Sequence, residues 1–103
     1  MRVVFLLAAA CLPPATFAAV TGSIRTNFIS GFERSCFETQ RNSSVNNGVS
    51  SATIKSYCKC SATYLADLLN NELVRSIEAG ENRLNPNLVE LASTYCRKNF
   101  ERF

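Results

Sequence analysis

Ile24, Phe28, Phe32 and Cys36 recur at every fourth position, and Ile29 and Phe37 widen the stripe they make. That period is helical and predicts a first helix from about Ser23 to Gln40. Gly31 within it costs about 1 kcal/mol relative to alanine, a cost that makes sense where a neighbouring segment comes close. From Arg41 to Ser50 the residues are Asn, Ser, Val and Gly almost throughout, with Asn47-Gly48 as a turn signal. Such a stretch predicts a mobile connection that buries little.

A second helix is predicted from Ser51 to about Leu69, and it carries two apolar stripes. Ile54, Cys58, Ala62, Leu65 and Leu69 form one; Tyr57, Cys60, Tyr64 and Leu68 form the other. A face that wide belongs to a helix packed between two others. Asn70-Asn71 interrupts the pattern and can cap a short third helix, Glu72 to Ala79, with Leu73, Val74 and Ile77 on its buried side. Gly80 ends it by accepting a left-handed conformation. Asn85 as cap and Pro86 at the first helical position open a last helix, along which Leu88, Leu91, Ala92, Tyr95, Cys96 and Phe100 fall at helical spacing. Arg97, Lys98 and Arg102 lie in its last turns, where they favour the negative end of the helix dipole. No segment alternates as a strand would. The expected fold class is all-α: a small three- to four-helix bundle.

The N-terminus is patterned differently. Met1-Arg2 supplies a positive start, Val3 to Leu12 is an uncharged and almost wholly apolar run, Pro13-Pro14 breaks it, and Ala15-Thr16-Phe17-Ala18-Ala19 offers small residues for cleavage. These are the parts of a secretory leader. The apolar run is about ten residues against the roughly 20 that cross a bilayer as a helix, so no integral membrane span is expected. The division that follows is a signal peptide over 1–18 and a single domain over 19–103. A lipid anchor at Cys11, which Ala8-Ala9-Ala10 precedes, is a lesser alternative because it shortens the apolar core to about eight residues.

Export changes how the cysteines are read. The chain has 5 of them, and losing Cys11 with the leader leaves Cys36, Cys58, Cys60 and Cys96, an even set in a short exported chain. That is a disulfide framework, and a domain this small needs one because its core is marginal. Three connectivities exist. Residues two apart on a helix point to nearly opposite sides, which disfavours Cys58–Cys60. If an antiparallel turn joins the first two helices, Cys36 lies at the depth of Cys58, which favours Cys36–Cys58 with Cys60–Cys96 over the crossed arrangement.

The side chains that usually carry chemistry are missing. There is no histidine and no tryptophan. That removes Ser-His and Cys-His nucleophiles, imidazole metal ligands and haem attachment through Cys-x-x-Cys-His. No glycine-rich phosphate loop is present. Zinc sites take close cysteine pairs two to four residues apart, whereas the close pair here is separated by one residue. Glu33 and Glu38, five apart, do not share a helix face well, and Asp67 reads as a rim residue. The expectation is therefore no catalytic, cofactor or metal residues and no enzyme. The whole chain carries a net charge of +3, and without Arg2 of the leader +2, which is too mild to imply nucleic acid or anionic lipid.

Phe32-x3-Cys36, Tyr57-Cys58-x-Cys60 leading into Tyr64-Leu65-Ala66-Asp67-Leu68, and Tyr95-Cys96 together resemble a group of small exported bacterial helical proteins with a Cys…Tyr-Cys-x-Cys…Cys pattern. The resemblance covers most of residues 19–103. It implies a disulfide role for the four cysteines and carries no activity with it. The expected function is a periplasmic or secreted, non-catalytic protein-binding module, whether adaptor, inhibitor, immunity or assembly accessory, with another protein as partner. The alternative is a secreted toxin, effector or membrane-active protein.

Overall fold

The protein's structure, a computed structural model, describes residues 19–99. The leader expected over 1–18, with Cys11 in it, and Phe100 and Arg102 lie outside the described residues. Four helices follow one another: α1 Gly22–Arg41, α2 Ser51–Leu68, α3 Asn71–Glu78 and α4 Pro86–Asn99, with a 3-10 turn Ser44–Asn46 between the first two. Among the described residues there is no strand.

The helix boundaries are set by side chains reaching orphan backbone groups. Ser50 Oγ accepts the Thr53 N–H at 3.1 Å to open α2, and Asn70 Oδ1 accepts the Leu73 N–H at 2.8 Å to open α3. Asn85 Oδ1 takes the Asn87 N–H at 2.8 Å ahead of α4. Gly80, at φ +81°, lets the Gly80 and Glu81 N–H groups return to Ile77 and Ser76 carbonyls and so close α3.

α1 and α4 both run antiparallel to α2, one on each flank. At one end of the molecule the Val20 N–H donates to the Ala66 carbonyl at 3.1 Å. There Val20, Ala66, Leu69 and Val74 form a buried cluster that Ile24, Phe28, Leu84 and Leu88 pack against. At the other end Ile54, Tyr57, Cys58 and Cys96 are buried together, with Cys36, Phe37, Val49 and Cys60 around them. The side chain of Asn71 joins the starts of α1 and α3, accepting the Thr21 N–H at 3.0 Å and donating to Thr21 Oγ1 at 3.1 Å.

Every residue of the first α2 stripe is buried, which is what a central helix requires. α1 has no buried residue, because it leans on α2 from one side. Three expectations change. The Arg41–Ser50 connection is a hydrogen-bonded turn: Asn46 Nδ2 donates to the Gln40 carbonyl at 2.8 Å and Val49 packs on the cysteine cluster. A β-carbon built on Gly31 would meet nothing within 4 Å, so no neighbour approaches there. Finally, the second α2 stripe and the α4 stripe are only partly covered. Tyr57, Ala92 and Cys96 are buried, yet Leu68, Leu91 and Tyr95 are 47%, 52% and 52% exposed.

Candidate functional site

Cys58 and Cys60 project from α2 to opposite flanks and tie it to both neighbours. Cys36 bonds to Cys58 with Cα atoms 5.7 Å apart, and Cys60 bonds to Cys96 with Cα atoms 5.9 Å apart. This is the pairing that the shared depth of Cys36 and Cys58 favours. The four sulfurs are consumed by one another, which takes them out of the zinc arrangement and leaves none as a nucleophile. Among the described residues no three acidic or cysteine side chains converge to hold a metal.

The partly covered stripes meet beside Cys60–Cys96. There α2 and α4 bound an open groove of about 600 Å³ lined by Lys59, Cys60, Thr63, Tyr64, Asp67, Leu68 and Tyr95. Tyr64 and Tyr95 stack with ring centroids 4.8 Å apart and form one wall. Leu91 lies one helical turn before Tyr95 on α4. The end of α4 is fixed by more than its disulfide, since Tyr57 Oη and Ser93 Oγ share a hydrogen bond of 2.6 Å and the Arg97 guanidinium lies 6.0 Å from the Tyr57 ring centroid. At the rim, Asp67 accepts from Arg25 at 2.9 Å while Arg25 also donates to the Val20 carbonyl at 3.0 Å. The rim placement expected of Asp67 holds. The groove holds three hydroxyls, the Lys59 ammonium and one paired carboxylate, so what it can do is enclose apolar side chains and orient them by hydrogen bonds.

A second groove, of about 380 Å³, separates α1 from α2 beside Cys36–Cys58. Phe37 lines it, with the Arg41 guanidinium 5.6 Å and the Lys55 ammonium 5.7 Å from the ring centroid. Arg34, Lys59 and Glu33 complete its walls. Lys59 borders both grooves and so stands on the ridge between them. A larger hollow of about 680 Å³ beside α3 is lined mainly by polar side chains such as Asn70, Ser76 and Asn82, already bonded within the fold in each case. It offers no converging reactive groups.

The antiparallel packing also sorts charge. Arg34, Arg41, Lys55, Lys59, Arg97 and Lys98 gather at the disulfide end against two carboxylates, Glu33 and Glu38. Asp67, Glu72, Glu78, Glu81 and Glu90 outnumber Arg25, Arg75 and Arg83 at the other. Sequence reading found the cysteines but placed Tyr64, Leu91 and Tyr95 on apolar helical stripes and nothing more, and it missed Val20, Arg25 and Ser93. Only a knowledge of which flank each helix occupies reveals these. Comparison with protein-family models, curated proteins and solved structures finds no match to this chain.

Proposed function

We propose that this chain is a non-catalytic protein-binding module of an oxidising compartment, periplasmic or extracellular, that receives an apolar anchor of its partner between α2 and α4. The observation that carries the reading is the stacked Tyr64–Tyr95 pair with Leu68 in one groove, and Leu91 exposed one turn from Tyr95, on two helices that a disulfide locks together. Large apolar side chains left contiguous at a polar rim mark interaction surfaces. Tyrosine beside leucine supplies contact area at low entropic cost, and a covalently fixed groove has little freedom left to lose on binding. Two disulfides fit an oxidising compartment. Among the described residues no helix is long and apolar enough to cross a membrane.

The test is site-specific photo-crosslinking in the cell that makes the protein. A benzophenone side chain placed at Leu68 or Leu91 should yield discrete protein adducts, and one at Glu81, exposed at the opposite end, should yield none. Identical yields at all three positions, or lipid adducts alone, would overturn the reading.

A further inference from the structure

Building on the reading just given, we infer that the α1–α2 groove takes an acidic, extended segment of the same partner, adjoining the apolar anchor across Lys59. A net charge of +3 hides the reason, because the fold concentrates the positive charge at the disulfide end. Among the described residues the sole ion pair is Arg25–Asp67, so no cation of that end is paired with a described carboxylate. Six cations against the two carboxylates Glu33 and Glu38 leave a net repulsion, which a bound anion relieves.

The spacing suits an extended peptide. Lys55 and Lys59 are one helical turn apart, a rise of about 6 Å, and an extended chain presents every second side chain at about 6.8 Å. Antiparallel packing sets Arg41 beside Lys55, where both meet the Phe37 ring, and Arg34 beside Lys59 on the same groove. Alternate carboxylates of a Glu-x-Glu segment therefore meet two successive pairs of cations. Glu33, the carboxylate of the groove, can accept a main-chain N–H, which a peptide offers and a phosphodiester chain does not. A membrane is the poorer occupant. Interfacial binding sets apolar side chains into the lipid below the cations, whereas Phe37 is half-buried under Arg41 and Lys55, and the exposed leucines lie across the Lys59 ridge.

The probe is a fluorescein-labelled peptide of alternating glutamate and serine, followed by anisotropy at low ionic strength on the oxidised protein. Saturable binding is expected, weakening as salt rises from about 50 to about 300 mM. Arg34→Glu with Lys55→Glu should reduce affinity about tenfold, while Arg75→Glu with Arg83→Glu at the other end should leave it within about twofold. Unchanged thermal midpoints certify that both variants fold. Absence of saturable binding, equal losses in the two variants, or tighter binding to phosphatidylglycerol vesicles or oligothymidylate would each overturn the inference. The two proposals fail separately. Leu68 adducts that persist at full yield in the Arg34→Glu/Lys55→Glu variant, with no peptide binding, would remove the acidic segment and leave the module.

Discussion

The two ends of the molecule hold together by different physics. Around Ile54, Tyr57, Cys58 and Cys96 the packing is small and all four disulfide cysteines belong to it, so α1 and α4 are each bonded to α2 there. Around Val20, Ala66, Leu69 and Val74 there is no cross-link, and apolar burial supplies the cohesion together with the Val20–Ala66 backbone bond, the Asn71–Thr21 pair and the Arg25–Asp67 ion pair. The difference teaches where each end is vulnerable. A cross-link acts by restricting the unfolded chain, whereas a hydrophobic cluster acts through shape and area in the folded one.

Reduction should break the comparison most severely. The two closures span 22 and 36 residues, and chain-entropy arithmetic assigns about 3 and about 4 kcal/mol to them. Together these match the whole net stability of a small domain. Mild reductant should therefore abolish cooperative thermal unfolding by far-ultraviolet circular dichroism; an unchanged transition would show that packing alone holds the cysteine end. Leu69→Ala comes next, at about 3 kcal/mol for a buried leucine whose neighbours relax little. Hydrogen exchange should then speed up in α3 and at the start of α1 while α2 near Cys58 keeps its protection. Equal loss at both ends would mean that the two clusters melt as one. Smallest is Gly31→Ala, which lies in open space on α1 and should raise stability by roughly 0.5–1 kcal/mol in chemical denaturation. A fall instead would reveal a close approach that the structure does not contain.

Much of this fold is legible in the chain because its boundaries are chemical. Ser50, Asn70, Asn85 and Gly80 each satisfy or release a specific backbone group within a few residues, so their positions bound the helices before any packing is known. The disulfide pairing is legible for a related reason: depth along antiparallel helices is a matter of counting. What periodicity cannot show is how far a flanking helix covers its neighbour. Tyr57 and Leu68 share one stripe, yet α4 buries the first and leaves the second open. Val20 sits outside any period and is 1% exposed, since its burial is decided by residues more than forty positions away. Ser61 is an inward polar residue, 3% exposed, whose hydroxyl finds no hydrogen-bond partner among the described residues. The charge sorting is invisible for the same reason as the groove: total charge is additive, and its distribution belongs to the topology.

Lys59 alone separates Cys58 from Cys60, so the chain is closed into two consecutive loops joined at that one residue. The exposed turns at Asn47-Gly48 and at Gly80-Glu81 each fall inside one of the loops. A protease that nicks either turn opens a ring without releasing a fragment, and the severed pieces stay attached through sulfur. In surroundings rich in proteases, such a molecule can be cut twice and still travel as one particle.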